Sequence, residues 1–324
     1  MILIITNKDD ITSDYIVNKL NKNSIKYYRF NTEDFPHKVY FSFNFFKNKF
    51  EIIDSIKKII IDISDVKSVY YRRPEYSRLR IKGLNEGEKS FLFNELVYTF
   101  EGLYKLLDSK YWLNRLFAIR QAENKIYQLI LATKIGFKIP DSIITNSKNE
   151  AINFISDNLN NCVIKPIKTG FLNNPDKSQI IYTSKFKENY LKDINRVRIF
   201  PTFFQEKIDK NADIRVTIVG KKVFSAKIES QEFADTEIDW RKGESTHLKY
   251  KTIQLPNDIK EKCLGLNKIL NLNFSAIDFI LNKYNDFIFL EINPNGQWAW
   301  LEEKLKYNIS GEIIKLLLNH KKTQ

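Results

Sequence analysis

Apolar positions along the first hundred residues change period several times, and each change marks an element. "ILIITN" at the start predicts a strand. "SDYIVNKLNKN" places Tyr15, Ile16 and Leu20 on one helical face, with Ser13 as the expected N-cap. "KYYRFN" predicts a second strand, and the alternation in "VYFSFNFFKNKFEIID" predicts a hairpin. "VKSVYYRRPEY" reads as a strand that ends at Pro74. "EGEKSFLFNELVYTFEGLYKLLDS" then gives a long amphipathic helix from about Glu86.

Past residue 110 the pattern begins afresh. "YWLNRLFAIRQAENKIYQLILATKIGFKIP" sets Ile119, Ala122, Ile126, Leu129, Ile130 and Thr133 on one helical face. Gly136 is the expected C′ residue, with Pro140 beyond it. "CVIKPI" and "PTFFQEKID" read as strands, and "DIRVTIVGKKVFSAKIES" as a hairpin turning at Gly220-Lys221. "EKCLGLNKILNL" is a helix, "SAIDFILNKYNDFIFLEINPNG" a second hairpin, and "SGEIIKLLLNHKK" a closing helix. Strands and helices intermix throughout, so the fold class is α/β (α+β), without repeats or low-complexity segments.

Composition narrows the class. The 324 residues are 43% hydrophobic and 14% aromatic, an ordinary globular composition. No apolar run approaches the roughly 18 residues of a membrane span, so no membrane association is expected. The first residues lack the basic region of a signal peptide. Cys162 and Cys263 form no CxxC pair, and His37, His247 and His320 lie too far apart for a His-based zinc site. A cytoplasmic location is expected. The net charge of +13 suits an acidic or phosphate-bearing partner, although the abundance of lysine along the whole chain would give it equally well. There is no nucleic-acid-binding motif or dense basic run, which argues against nucleic acid.

The stretch "FLEINPNGQWAW", residues 289–300, poses the chemical question: a carboxylate sits inside an apolar strand and three amides follow it. Symmetric pairing about Tyr284–Asn285 puts Asp278 opposite Glu291, Ile280 opposite Phe289 and Phe279 opposite Leu290, with Asn293 on the face of Glu291. Two carboxylates roughly 5 Å apart at their Cβ atoms repel each other. A divalent cation relieves this, and Asp, Glu and Asn oxygens suit Mg²⁺. An isolated pattern of this kind is more often a solvated strand end, but other residues join it. Lys125 stands on a helix, where most lysines only face solvent. Lys165 alternates within the apolar "CVIKPI". "QEKID", Gln205 to Asp209, offers a strand edge to an adenine ring, and Arg215 alternates within an otherwise apolar strand. Two lysines, an arginine and a Mg²⁺ cluster are what a triphosphate requires.

In this order (helix lysine, "IKP", "QEKI", "DIRVTIVG", "AIDF", "EINPNG") the sequence resembles the ATP-grasp ligases over roughly residues 110 to 320. The resemblance implies ATP and Mg²⁺ as cofactors. It implies that Lys125 and Lys165 contact phosphates, that Gln205, Glu206 and Ile208 line the adenine, and that Asp213 lies near the ribose or phosphates. Asp278, Glu291 and Asn293 would hold the metal. The family's glycine-rich phosphate loop is poorly matched by "KTGFLNNPDKSQ", which has one glycine. "YYRRPEY", "IYT", "DWRKGE" and "INPNGQWAWLE" are similar, over nearly the whole chain, to the microviridin-type graspetide synthetases, including the maturases of grasp-with-spasm peptide clusters. That similarity implies a pre-ATP-grasp α/β domain at 1–110, a central subdomain at 111–205, and a C-terminal subdomain with the Mg²⁺ site at 206–324. It implies a precursor peptide with a leader and an Asp/Glu-rich core as partner, and it allows a homodimer. Asp or Glu side chains would be activated as acyl phosphates and joined to Ser, Thr or Lys. Arg215 and Arg241 would neutralise charge in the reaction, and Arg72 and Arg73 would meet substrate. "KFKENYLKDINRVR" is a candidate leader surface that reads equally well as a solvated amphipathic helix. Ligation to a protein tail or a small peptide-like substrate is the alternative, and a scaffold that has lost catalysis is a third reading, disfavoured by the intact metal-ligand set.

Overall fold

The structure is a computed structural model that describes residues 1–76, 83–158, 161–168, 170–173, 178–242 and 247–319. The expected phosphate loop lies partly outside these residues, as do Gly243, Glu244 and His320. Contacts divide the chain into two units. The first holds Met1–Leu116, Gln297–Glu302 and Asn308–Gln324, and the second Phe117–Gly296 with Glu303–Tyr307.

The first unit is built on β1 (Ile2–Thr6), α1 (Ile11–Lys22), β2 (Tyr27–Asn31), β3 (Val39–Asn44), β4 (Lys49–Asp54), β5 (Ile59–Asp62), β6 (Ser68–Tyr71), α2 (Glu86–Leu106) and β7 (Tyr111–Leu113). Strands β2, β1, β6 and β7 form a parallel sheet in that order, and Ile2 to Ile5 of β1 are all buried within it. A continuous apolar run is what a strand covered on both faces requires. The helix Ile309–Leu318 packs against β6, β7 and α1. Strands β3, β4 and β5 make a separate antiparallel meander, one strand more than the expected hairpin. α2 opens with a capping box between Asn85 and Glu88.

Two local expectations need correction here. α1 is capped by Asp10, not Ser13: the Asp10 carboxylate accepts from the Ser13 backbone N–H at 3.1 Å and from its hydroxyl at 2.5 Å. β6 stops at Tyr71 rather than Pro74, because Arg73 leaves the extended region with φ 47°.

The second unit contains α3 (Leu116–Ala122), α4 (Lys125–Ile135), β8 (Ser142–Thr145), α5 (Lys148–Asp157), β9 (Cys162–Lys165), β10 (Phe171–Asn173), β11 (Ser178–Ile180), β12 (Ser184–Lys185) and β13 (Thr202–Glu206). It continues with β14 (Lys210–Val219), β15 (Lys222–Ile228), β16 (Tyr250–Thr252), α6 (Asn257–Ile269), β17 (Phe274–Asn282) and β18 (Phe287–Asn293). One sheet has the order β12-β9-β13-β8, the other β16-β15-β14-β17-β18. In the larger sheet Ile214, Val216, Ile218, Ile277, Phe279, Phe289 and Ile292 point to one face and form a core with α4 and α6. The opposite face is therefore left to the alternate residues, Asp213, Arg215, Asp278, Glu291 and Asn293.

The helix expected across residues 116–135 is broken at Glu123. Asn124 caps a new helix by accepting from the Tyr127 N–H at 3.1 Å. The break resets the helical phase: Gln128, Leu131 and Ala132 are buried, whereas Ile126 and Ile130 are 48% and 47% exposed. Gly136 ends α4 with φ 86°, the left-handed conformation expected of a C′ glycine. Residues Glu188–Ile199, expected as an amphipathic α-helix, wind as 3₁₀ turns instead.

Candidate functional site

Asp278 and Glu291 are direct cross-strand partners, as the hairpin pattern predicted. They arrive there by a different route. The turn is a three-residue loop in which Asn285 takes φ 64°, and Leu281 pairs with Phe287, Ile280 with Ile288 and Phe279 with Phe289. The expected Ile280–Phe289 and Phe279–Leu290 pairs do not form. Between Phe289 and Glu291 the register shifts by one, with Leu290 as the extra residue of a β-bulge. The longer loop and the bulge cancel, so both carboxylates still reach the same face. Asn293, paired with Ala276, lies two residues further along that face.

The polar turn after β18 also has a steric cause. The Asn293 side-chain oxygen accepts from the Asn295 N–H at 2.9 Å, and its backbone carbonyl from the Gly296 N–H at 3.3 Å. Gly296 comes so close to β17 that a Cβ there would lie 2.3 Å from the Ala276 Cβ. Only glycine lets the turn fold back on the partner of Asn293.

Cations converge on the carboxylate pair. Lys125 Nζ lies 3.2 Å from Glu291 Oε2 and donates to the Pro166 carbonyl at 3.0 Å. Arg241 Nη1 is 3.6 Å from Glu291 Oε1. Arg215 Nη1 donates to Asp278 Oδ2 at 2.8 Å, and its guanidinium lies 5.7 Å from the centroid of the Trp240 ring. The Arg215 Nε is buried and has no partner among the described residues. A buried, unpaired donor on a cation is costly, and it points to a group that the apo chain does not supply.

These placements set the charge states. Burial opposes ionisation of Glu291, but Lys125, Arg241 and Lys165 outweigh it and hold the carboxyl below its usual range. Burial pushes Asp278 up, opposed by Arg215 and aided by the Glu291 charge. Burial likewise lowers Lys165 to about 8, with Glu291 opposing and Lys125 and Arg241 reinforcing the shift. Lys165 Nζ donates to Gln205 Oε1 at 2.6 Å, and Gln205 Nε2 donates to the Ser142 hydroxyl at 2.8 Å. Both lie on the face of their sheet opposite the Phe204–Cys162 core.

The remaining expected residues are placed as follows. The Glu206 N–H donates to the Asp141 carbonyl at 2.8 Å, and Ile208 is half-buried two residues on. Asp213 is buried against Lys210 Nζ at 2.7 Å and the Ser230 hydroxyl at 2.5 Å. Lys125, Lys165, Arg215, Arg241, Asp278, Glu291 and Asn293 are thus gathered in one unit. Arg72 and Arg73 belong to the other. Arg72 is not at the surface: it is buried on Asp10 at 3.0 Å and donates to Thr12 and Gln297. Arg73 is exposed, and its carbonyl accepts from Asn7.

Three contributors escaped the sequence reading. Asp239 holds Arg241 through two hydrogen bonds of 2.8 Å and also accepts from the Thr183 N–H. Trp240 stands over Arg215. Gln128 of α4 exchanges two hydrogen bonds with the backbone of Ile292, the residue between Glu291 and Asn293, and donates to Ala122 O as well. Asp239 and Trp240 sit inside the quoted "DWR" and could have been found there. Nothing in the helix pattern marked Gln128.

Two carboxylates and an amide share one sheet face with lysine and arginine beside them, a charge pattern compatible with phosphate handling. Among the described residues no group of three His, Cys, Asp or Glu is placed to hold a metal ion. Hard oxygen donors of this kind fit a divalent cation.

Comparison with known proteins gives the family. Residues 122–317 match the model of the RimK-like ATP-grasp domain, and residues 1–120 that of the MvdD pre-ATP grasp domain. The chain belongs to the RimK-like ATP-grasp family and is an ATP-grasp ligase; the fold implies ATP with a divalent metal. The macrocyclase MdnC of Microcystis aeruginosa MRC, bound with precursor peptide MdnA, superposes with a TM-score of 0.88 at 28% identity, over 98% of this chain and 99% of that one. A RiPP-associated ATP-grasp ligase of Chryseobacterium gregarium, in complex with ADP and a leader and core peptide, gives 0.88 at 30% identity over 98% and 96%. Among curated proteins, the alpha-aminoadipate–LysW ligase LysX of Sulfolobus acidocaldarius is 22% identical over 60% of this chain and 69% of its own length. No helix among the described residues is long and apolar enough to cross a membrane.

Proposed function

We propose that this ligase is a peptide macrocyclase, joining Asp or Glu side chains of a precursor peptide to Ser or Thr hydroxyls or Lys amines. The observation that carries the reading is whole-chain similarity, N-terminal unit included, to two enzymes crystallised with precursor or leader and core peptides. The similarity to LysX supports a second reading, a carboxylate–amine ligase acting on a protein tail, and covers only 60% of this chain.

In this reading a peptide carboxylate oxygen attacks the γ-phosphorus of ATP and ADP leaves. The hydroxyl or amine of a second side chain then attacks the acyl carbon, loses its proton, and releases phosphate. Phosphoryl transfer of this kind needs positioning and charge neutralisation more than a protein nucleophile. Lys125 and Lys165 bind phosphate oxygens, and Gln205, Glu206 and Ile208 border the adenine with Asp213 near the ribose. Arg215, held by Asp278 and Trp240, directs its unpaired Nε to the transferring group. Arg241, oriented by Asp239, meets the acyl phosphate. Asp278, Glu291 and Asn293 hold Mg²⁺, which supplies charge neutralisation at the phosphates when bound. Arg73 and the Arg72 segment meet the peptide from the N-terminal unit. The enzyme acts in the cytoplasm, where ATP is supplied.

The test is intact mass of a Ser-, Thr-, Lys-, Asp- and Glu-rich peptide encoded beside this protein, after incubation with the enzyme, ATP and Mg²⁺. ATP-dependent loss of about 18 Da per bond is expected. A gain of an amino-acid unit would transfer the reading to an intermolecular ligase, and ATP turnover with an unchanged peptide would refute both.

A further inference from the structure

β15 ends at Ile228 and β16 begins at Tyr250, and the segment between them leaves the sheet. Its described residues wind through three short 3₁₀ turns, Ser230–Glu232, Ala234–Thr236 and Trp240–Lys242, the last carrying Arg241. Backbone bonds here close local turns: the Thr236 N–H donates to Phe233 O at 3.1 Å, and the Lys242 N–H to Asp239 O at 3.1 Å. Bonds of this range shape the segment without placing it on the sheet. Yet Arg241 reaches Glu291 of β18, and Trp240 lies over Arg215 of β14.

Side chains supply the placement. Asp213 of β14 is the anchor: its Oδ2 accepts from the Ser230 hydroxyl at 2.5 Å and from Lys210 Nζ at 2.7 Å. Ser230 and the Lys210 side chain are both buried. The buried Thr236 hydroxyl donates to the Ser230 carbonyl at 2.6 Å and folds the middle of the segment onto its start. Lys210 Nζ also donates to the Ile238 carbonyl at 3.3 Å, one residue before Asp239. Asp239 in turn holds Arg241. β14 is thus tied to the segment at two points, Ser230 and Ile238, through donors that share one carboxylate oxygen.

A buried ion pair is weak grounds for stability once desolvation is counted; what it fixes is the position of the groups it joins. We propose that Ser230, Thr236 and Lys210 are positioning residues for the ligation, holding the 230–242 segment so that Arg241 stands at the carboxylate pair. The proposal rests on the reading that Arg241 meets the acyl phosphate. A charge aimed at the reacting group stabilises it only as far as it is held in place, so loosening this tether lowers turnover and spares nucleotide binding.

The test is ADP formation by the full chain with ATP, Mg²⁺ and the encoded peptide named above, beside isothermal titration with ADP. Ser230→Ala and Thr236→Val each remove one hydroxyl and leave the Lys210–Asp213 pair in place. Each should lower kcat about tenfold with ADP affinity within about twofold of wild type, which also shows the fold intact. Thr236→Ser keeps the hydroxyl and should keep wild-type kcat. Arg241→Ala should lower kcat at least as far, and adding Ser230→Ala should cost nothing more, because the group that Ser230 positions is gone. Wild-type kcat in either hydroxyl variant overturns the proposal. So do losses that multiply in the double variant, as a general loosening of the fold would make them. Wild-type kcat in Arg241→Ala alone overturns the reading of Arg241 itself, and the proposal with it.

Discussion

Replacing Gln128 with methionine should damage, from behind, the strand that carries Glu291 and Asn293. Gln128 is buried on α4 and behaves as a short extra strand beside β18. Its Nε2 donates to Ile292 O at 2.9 Å, and its Oε1 accepts from Ile292 N–H at 3.1 Å. Methionine matches the side chain in length but offers neither hydrogen bond. The backbone N–H and C=O of Ile292 are then left in an apolar interior, each at about 1–3 kcal/mol, and the Ala122 carbonyl loses its donor too, so Gln128→Met should lose about 2–6 kcal/mol of stability. Because Glu291 and Asn293 flank Ile292, the strand segment that carries them would loosen as well. Denaturant titration gives the first quantity, and ADP release against Mg²⁺ concentration the second. The expected result is a lower midpoint with a raised Mg²⁺ requirement. Stability within about 0.5 kcal/mol of wild type, the range of an ordinary surface substitution, would refute the reasoning.

Glu291→Gln should leave the fold intact and abolish ADP production, measured by a coupled assay; wild-type turnover would remove Glu291 from the metal set. Gly296→Ala should cost about 1–3 kcal/mol, since its Cβ would overlap Ala276, and adding Ala276→Gly should recover most of it. Thermal melts of the two variants decide this, and absence of rescue would mean the glycine serves another purpose. Lys165, lowered to about 8, is charged below that pH and neutral above it. ADP affinity in the free enzyme should therefore fall as pH rises through about 8, a decline that Lys165→Arg should remove. Isothermal titration across this range would show a flat profile if Lys165 does not touch phosphate.

Local patterning made much of the fold readable. Ile2 to Ile5, the Gly220-Lys221 turn and Gly136 each obey short-range rules, and each stands where those rules put it. The misses have tertiary causes. Asp10 outcompeted Ser13 as a cap at a buried position where it also binds Arg72. Asn124 restarted a helix whose apolar positions, read as one face, belong to two. In the second hairpin the alternation identified Asp278 and Glu291 as partners, but periodicity cannot count a bulge, so the neighbouring pairs were one residue out. Lys165 and Arg215 stood out because a cation in an apolar strand is conspicuous, whereas Lys125 gained meaning only beside them and Arg241 only through the family resemblance. Gln128 did not, because a glutamine on a helix looks like surface until the strand it serves is in place.

That strand is the last in its sheet, and its outer edge is closed. Gln128 occupies the backbone groups of Ile292, and the Lys138 carbonyl accepts the Phe289 N–H at 2.8 Å. An open edge beside Phe287, Ile288 and Phe289 would be a template for pairing with other chains. The helix and the segment after it deny that template. A chain this rich in β-branched and aromatic strands can thus carry its most apolar hairpin at a sheet margin without seeding aggregates, and loss of Gln128 should appear as precipitation on storage as well as in any equilibrium measurement.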